Sequence, residues 1–180
     1  MNALPIERRQ IVTDRLVLRP TSVLDADRAF EIQSDWQVTQ MLRMASFPPE
    51  RAQIREWFSD HEREWAEGTA YRFAVELRGE FVGIADIDEI SEAQGELGYW
   101  FDRSCWGHGY AFEAAQAVVD FAFSSIGLTQ LRSGHAADNS ASGKVLLKLG
   151  FRSVGTQRVA SLSRGQDIQH ECYELRAPTP

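Results

Sequence analysis

Residues 99–123, YWFDRSCWGHGYAFEAAQAVVDFAF, constrain the fold of this chain more than any other stretch. The apolar segment 99–102 has the character of a strand end, Gly107-His108-Gly109 that of a turn, and the amphipathic segment after it that of a helix. Glycine lets a backbone approach a ligand closely, and the first N–H groups of a helix have no partner within it. The stretch therefore predicts a phosphate-binding turn at the positive end of a helix dipole, with a plain tight connector as the alternative.

The composition of the chain indicates one globular domain, residues 1–180. The 180 residues are 43% hydrophobic and 25% charged, which suffices for a sizeable core. The formal net charge of -7 argues against binding to nucleic acid or to an anionic membrane, since both need a concentrated basic surface. The sequence has neither an apolar run of about 18 residues for a membrane span nor the apolar core of a signal peptide at its start. We therefore expect a soluble, cytoplasmic protein.

The two cysteines give no indication of a metal site. Cys105 and Cys172 are not spaced as metal ligands, and in a chain without an export signal we expect them to be reduced thiols. The sequence therefore predicts no metal.

Hydrophobic periodicity and turn residues divide the chain into strands and helices. We predict strands at 11–19, 73–77, 81–90, 95–102, 129–135, 151–160 and 167–176. We predict helices at 22–34, 36–43, 49–67, 109–126 and 139–149. The helix between the strands 95–102 and 129–135 favours parallel pairing there, while the other strands can pair as antiparallel neighbours. The order predicts an α+β fold with a central mixed, mostly antiparallel twisted sheet that is flanked by helices.

Three separated stretches together carry a family resemblance: TDRLVLRP at 13–20, ELGYWFDRSCWGHGYAFEA at 96–114 and ADNSASGKVLLKLGF at 137–151. Their order and spacing resemble those of the GNAT (GCN5-related N-acetyltransferase) superfamily, and within it the ribosomal-protein-alanine N-acetyltransferase group. The likeness extends along nearly the whole chain. It implies that family's single-domain fold and the use of acetyl-coenzyme A as co-substrate.

The resemblance assigns the glycine turn to the coenzyme's pyrophosphate. The family pattern of Gln or Arg, two residues, Gly, one residue, then Gly or Ala falls on Trp106, Gly109 and Ala111. Trp106 departs from it, which removes an implied side-chain contact but leaves the backbone cradle. Pantetheine is expected to follow the end of the strand 95–102 like an added strand, admitted by a splay between this strand and residues 130–136. The implied cofactor-binding residues are Phe101, Arg103, Trp106, Gly107, His108, Gly109, Tyr110, Ala111, Asn139 and Lys144.

Acetyl transfer to an amine requires a neutral amine, a stabilised oxyanion and a proton for the leaving thiolate. Glu96 is the candidate general base, with a solvated strand-edge carboxylate or an ion pair as the alternative. Burial beside Trp100 would be needed to raise its pKa usefully. By resemblance, Ser142 is the candidate donor to the sulfur and Asn139 a contact of the pantetheine. A helix N-cap at Asn139 with Ser142 in the first turn is the alternative, and both can hold together.

Other polar residues have simpler explanations. We expect His108 to be an exposed loop side chain and His135 to lie in the core or to support the cleft. Glu113 should turn away from the pyrophosphate, which it would repel. Asp86 and Asp88 could face a cationic acceptor, although a solvated face is the commoner explanation for such a pair. Of Lys144 and Lys148, Lys144 is the better candidate for a contact with the 3′-phosphate of the coenzyme. The alternative is that both lysines lie on a solvated helix face.

Three functions remain open at this point. The first is acetylation of a protein N-terminus, such as that of a ribosomal protein; the second is acetylation of a small amine, such as a polyamine, an amino acid or an antibiotic. An open groove between the early helices and the last hairpin would favour a peptide, and a closed pit a metabolite. The third is non-catalytic binding of acyl-coenzyme A. The oligomeric state is open at this point, and unpaired sheet edges are compatible with a homodimer.

Overall fold

The computed structural model describes residues 6–178. The strands are β1 (Ile11–Val12), β2 (Leu16–Pro20), β3 (Tyr71–Leu77), β4 (Glu80–Ser91), β5 (Gln94–Phe101), β6 (Gln130–Ala136), β7 (Arg152–Ser161) and β8 (Gln166–Arg176). The helices are α1 (Ala26–Gln33), α2 (Trp36–Thr39), α3 (Arg51–Glu67), α4 (Tyr110–Phe121) and α5 (Ser140–Lys148). Within the described residues the strands form one sheet in the order β1-β2-β3-β4-β5-β6-β8-β7, in which β5 and β6 pair in parallel and the other neighbours antiparallel. The predicted α+β class is confirmed.

The structure corrects three predicted boundaries. The strand at 11–19 is two strands, because the Thr13 side chain bonds the backbone of Leu16 and turns β1 back onto β2. The helix at 36–43 ends at Thr39. The helix at 49–67 begins at Arg51, since Glu50 keeps an extended backbone and acts as the N-cap residue.

The side chains of β5 alternate between the two faces of the sheet, as in any pleated strand. Leu97 and Phe101 belong to the larger core, which α4 and α5 cover. Trp100 packs against the smaller core on the opposite face, which α1 and α3 cover. β5 therefore lies between two helical layers, and it directs different side chains toward each of them.

The parallel pair β5 and β6 separates soon after it forms. Its ladder covers only residues 94–96 of β5 and 130–132 of β6. Beyond this point β6 continues along β8, while Ser133 bonds the Leu97 carbonyl through its side chain at 2.8 Å. The splay predicted from the sequence is therefore present, and it opens at Glu96.

Candidate functional site

A cavity of about 860 Å³ lies at the splay between β5 and β6. Its lining includes Tyr99 and Ser142 on the side of α4 and α5, and Glu96 and Trp57 on the side of α1 and α3. A volume of this order is typical of clefts that bury a small organic molecule. The cavity, called the cleft below, thus reaches both faces of the sheet at the place where the ladder is open.

The glycine turn borders the cleft and begins α4. Gly107 and Gly109 have φ of 78° and 82°, a left-handed conformation that residues with a Cβ rarely adopt, and Gly109 is the N-cap residue of α4. Tyr110 and Ala111 follow in the first helical turn and also line the cleft. The local geometry is therefore that of a helix N-terminus with a close backbone approach, which is suited to an anion.

The strand motif at 13–20 braces this turn from the side. Arg15 bonds the Glu113 carboxylate at 2.7 Å and the His108 carbonyl at 2.9 Å, and its guanidinium lies 4.5 Å from the centre of the Tyr110 ring. Thr13 donates to Glu113 at 2.6 Å. Burial would raise the pKa of Glu113, but these hydrogen bonds outweigh it and lower the pKa. As expected, Glu113 is directed away from the turn's backbone N–H groups.

Two predicted cofactor-binding side chains do not border the cleft. Arg103 is exposed and forms an ion pair with Asp35 at 3.4 Å. His108 lies against Tyr110 and borders a separate hollow on the outer side of α4, which Lys148 also lines. The remaining residues of the predicted set border the cleft: Phe101, Trp106, Gly107, Gly109, Tyr110, Ala111, Asn139 and Lys144.

A pair of hydroxyl groups lies on the α5 side of the cleft. The Tyr99 hydroxyl is 2.8 Å from Ser142 Oγ and 3.2 Å from the Ser142 carbonyl oxygen. Burial raises the pKa of Tyr99 to about 12, so its hydroxyl stays protonated near neutral pH. Asn139 caps α5 by accepting from the Ser142 N–H at 3.3 Å, which is the predicted helix cap. Ser142 is thus held by the helix start and by a tyrosine on β5.

A second tyrosine lies near this pair. His135 is buried with Nδ1 2.8 Å from the Ala136 carbonyl oxygen, which requires the proton on Nδ1 and leaves Nε2 to accept from Tyr173 at 3.3 Å. Gly143 of α5 packs against both groups, since a Cβ there would come within 2.7 Å of His135 Nε2. His135 thus has a supporting position in the cleft wall.

Carboxylates gather on the opposite face of the sheet. Glu96 and Asp88 are opposed across β5 and β4, and Glu89 is the next residue along β4. Burial raises the pKa of Glu96, and the nearby Glu89 and Asp88 raise it further against the opposing charges of Arg43 and Arg132. The partial burial that Glu96 would need as a base is therefore present.

Arg72 anchors this acidic wall from β3. It is 8% exposed and bonds Asp86 at 2.7 Å, Asp88 at 3.0 Å and Glu64 at 2.8 Å. Asp86 is itself buried, so the solvated face expected for it is wrong. The reason is that a charged partner is available inside the protein, which makes burial of a carboxylate acceptable.

The walls of the cleft touch at its outer end. The loop after α2 is joined to the turn between β7 and β8 by the Leu162 N–H, which donates to the Arg43 carbonyl at 2.7 Å. Residues 41–46 of this loop line the cleft. The loop that lines this end of the cleft is therefore tied to the last hairpin, and neither an open groove nor a sealed pit describes the cleft fully.

The acetyltransferase (GNAT) domain model matches residues 15–152, which include the turn, the splay and the start of α5. The chain belongs to the GNAT acetyltransferase family. The uncharacterized N-acetyltransferase p20 of Bacillus licheniformis is 30% identical to this GNAT chain over 169 residues, covering 92% of it and 94% of that protein. The family assignment makes the chain an acetyltransferase, as the resemblance of the sequence implied.

Solved structures show the same fold. The ribosomal L7/L12 alpha-N-protein acetyltransferase RimL in complex with coenzyme A superposes with a TM-score of 0.84 at 18% identity, covering 93% of this chain and 98% of that one. Mycobacterium smegmatis RimJ in complex with a coenzyme A disulfide gives 0.78 at 24% identity, covering 90% and 82%. At these identities the likeness concerns the fold, and it confirms the predicted GNAT architecture.

Sequence reasoning missed three participants. Tyr99 was assigned only to the strand, although its place on the Leu97 and Phe101 face could have directed it toward α5. The sequence motif at 13–20 did not reveal the contacts of Arg15, and no pattern pointed to Tyr173. Tyr99 lines the cleft, whereas Arg15 contacts Tyr110 and Tyr173 contacts His135 in the cleft wall. These contacts arise through strand pairing or a distant turn, which no local pattern reveals.

Among residues 6–178 no group of three or more His, Cys, Asp and Glu side chains is arranged to hold a metal ion. Within the same residues no helix has both the length and the apolar character needed to cross a membrane.

Proposed function

We propose that this GNAT chain transfers an acetyl group from acetyl-coenzyme A to a primary amine by direct attack. The observation that carries the proposal is the cleft at the open ladder between β5 and β6. It has Glu96 on one face of the sheet and the pair of Tyr99 and Ser142 on the other. Attack from one face and departure of the thiol toward the other fit this arrangement.

The cofactor end of the proposed site is built mainly from backbone. The N–H groups at 107–111 are suited to the pyrophosphate, because they start a helix and are approached past two glycines. The open edge of β5 near Phe101 is suited to pantetheine, with Asn139 beside it. Lys144, exposed on α5 at the rim, is proposed to contact a phosphate of the coenzyme.

The proposed chemistry assigns one proton transfer to each face. Glu96 takes a proton from the ammonium group of the acceptor, directly or through water, so that the neutral amine can attack, and its raised pKa makes it a better match for that task than an ordinary carboxylate. The new C–N bond forms as the C–S bond breaks, and the proton that the nitrogen then loses passes to water. Ser142 gives its proton to the departing sulfur and regains one from Tyr99, 2.8 Å away, which in turn regains a proton from water.

The acceptor we favour is the N-terminal amine of a protein. The acidic wall formed by Asp86, Asp88, Glu89 and Glu96 lines the cleft and attracts an ammonium group, which a protein N-terminus carries. The contact between Leu162 and Arg43 also favours a second candidate, a small linear amine, since it narrows the pocket on the side where a peptide would leave.

The experiment that tests the proposal measures free-thiol release from acetyl-coenzyme A with a panel of amines. The panel contains peptides with a free N-terminus, the same peptides with a blocked N-terminus, and linear polyamines. We expect turnover with at least one free amine and none with fully blocked peptides. Coenzyme binding without turnover on any amine would instead support a non-catalytic acyl-coenzyme A binder.

A further inference from the structure

Two side chains bond to backbone carbonyls of β5 in the region where this strand separates from β6. Ser133 Oγ donates to the Leu97 carbonyl at 2.8 Å. Trp106 Nε1 donates to the Phe101 carbonyl at 3.0 Å. The donors come from different parts of the chain, since Ser133 belongs to β6 and Trp106 precedes the glycine turn. Both bonds change what the edge of β5 offers to a ligand, because each one occupies an acceptor of that strand.

Both carbonyls lie on the open edge of β5. The backbone groups of successive residues in a strand point to opposite sides, so residues two apart share a side. The Asp102 N–H donates to the Val82 carbonyl at 2.7 Å, which places the even-numbered residues toward β4. The Leu97 carbonyl receives its bond from β6, which places the odd-numbered residues toward the splay. The carbonyls of Leu97, Tyr99 and Phe101 therefore all face the splay.

The two donors hold their acceptors before any ligand arrives. Ser133 is 8% exposed and directly follows the ladder residues 130–132, so its hydroxyl takes the place of the next ladder bond. The indole N–H of Trp106 is a donor and never an acceptor, and the ring that carries it borders the cleft. Loss of either donor would leave a carbonyl free to bind another partner.

The backbone of Tyr99 lies between the two occupied carbonyls. Of the three carbonyls that face the splay, only those of Leu97 and Phe101 accept from a side chain of residues 6–178. Tyr99 lines the cleft, and its own hydroxyl is 2.8 Å from Ser142 Oγ. The open edge is therefore reduced to a window of one residue, the backbone of Tyr99, beside the hydroxyl pair.

We infer that Ser133 and Trp106 are positioning residues that confine the pantetheine arm of the coenzyme to this window and so hold its thioester in one place. An extended chain with amide groups binds an open strand edge through main-chain hydrogen bonds, and the free groups of the edge set its register. The inference rests on the coenzyme-binding part of the proposed function. Its consequence is that removal of one donor creates a second register, displaced by two residues or about 7 Å.

The test compares Ser133→Ala, Ser133→Thr and Trp106→Phe with wild type. Threonine keeps a hydroxyl and is favoured in strands, so it is the conservative variant. The controls are Ser161→Ala, which removes a buried hydroxyl of β7 outside the cleft, and Trp36→Phe, which alters a half-exposed tryptophan that packs against Phe47. Acetyl-coenzyme A labelled with ¹³C at the thioester carbonyl is bound to each protein, and its NMR resonance, the coenzyme A affinity and kcat are measured.

We expect one carbonyl resonance in wild type and a second, displaced resonance in Ser133→Ala. A freed carbonyl adds one hydrogen bond to the displaced register, which favours that register about tenfold. The coenzyme A affinity should change less than about twofold, since the arm keeps its bonds in either register, whereas kcat should fall about tenfold. Ser133→Thr should restore the single resonance, and Trp106→Phe should reproduce the second one.

The resonance decides the inference separately from the acetyl transfer. A single resonance at the wild-type position in Ser133→Ala overturns the inference, and a loss of affinity alone would assign Ser133 to structure only. If wild type binds the labelled coenzyme but acetylates no amine, the proposed transfer fails while the resonances still decide the inference. If wild type binds no coenzyme, both fail. Should Ser133→Ala not fold, an unchanged resonance in Trp106→Phe overturns the inference.

Discussion

The two ends of the cleft are built in different ways. The proposed cofactor end is formed by Gly107, Gly109, Tyr110 and Ala111, which are close in the sequence and would contribute mainly backbone N–H groups. The proposed acceptor end combines side chains from β3, β4, β5 and α3 with a loop after α2. One end therefore depends on a local conformation, and the other on the packing of segments that are far apart in the sequence.

This difference indicates at which end of the cleft substitutions can change the specificity for the amine. A backbone cradle would tolerate many side chains, which is compatible with Trp106 at a position where the family pattern has Gln or Arg. Where side chains line the site, each substitution changes the shape or the charge of the lining. A chain of this family can thus keep its cofactor while its acceptor differs, and substitutions at the two ends should separate coenzyme affinity from amine turnover.

The largest expected effect is at the acceptor end. Glu96→Gln should lower kcat/KM about 1000-fold without weakening coenzyme A binding, because a general base contributes between two and four powers of ten. Burial raises the pKa of Glu96, and the residue can act only as the carboxylate. The wild-type rate should therefore rise with pH through this raised pKa, and the rise should be absent from the variant's pH profile.

The control for this change is Glu80→Gln, an exposed glutamate at the distal end of β4. Its pH profile and rate should equal those of wild type. An undiminished rate in Glu96→Gln would remove Glu96 as the base.

The next effect is at the cofactor end. Gly109→Trp should weaken coenzyme A binding about 100-fold, since the side chain blocks backbone approach and strains a residue whose φ is 82°. Isothermal titration calorimetry with coenzyme A measures the change. Gly79→Trp, at a φ of 84° in the turn between β3 and β4, imposes the same strain outside the cleft and should leave the affinity intact. Equal losses in both variants would assign the effect to strain alone.

A smaller effect concerns the hydroxyl pair. Tyr99→Phe should lower kcat about tenfold with no change in coenzyme affinity, because Ser142 loses its partner 2.8 Å away. Combined with Ser142→Ala, the loss should not be additive, since both changes interrupt one relay. Single-turnover kinetics follow the chemical step, and the buried Tyr71 provides the matched Tyr71→Phe control. Fully additive losses would show that the two hydroxyls act independently.

The smallest expected effect concerns the contacts between Arg15 and the glycine turn. Arg15→Ala should weaken coenzyme A binding about fivefold and leave the acceptor KM unchanged, because Arg15 holds the turn through the His108 carbonyl and Glu113 without lining the cleft. Arg152→Ala, an exposed arginine on β7, is the control. A change in the acceptor KM instead would mean that the two ends of the cleft are not separable.

Much of the fold followed from local patterns. The alternation in β5, the glycines around His108 and the helix cap at Asn139 are each encoded within a few residues, so their conformations were predictable. The break between β1 and β2 was not, because it depends on a side-chain hydrogen bond from Thr13 to Leu16. The burial of Asp86 in an ion pair was likewise not predictable from the local sequence pattern, since its partner Arg72 comes from another strand.

The sequence by itself determined the family, the α+β fold and the glycine turn, because short-range hydrogen bonds and backbone conformation set these features. Only the tertiary structure decided that Tyr99 meets Ser142, that Arg15 braces the turn and that Arg164 joins the segment after α2 to the start of α5. These contacts link segments far apart in the chain. Their geometry follows from how strands pair and turns pack, and that is fixed when the whole chain folds.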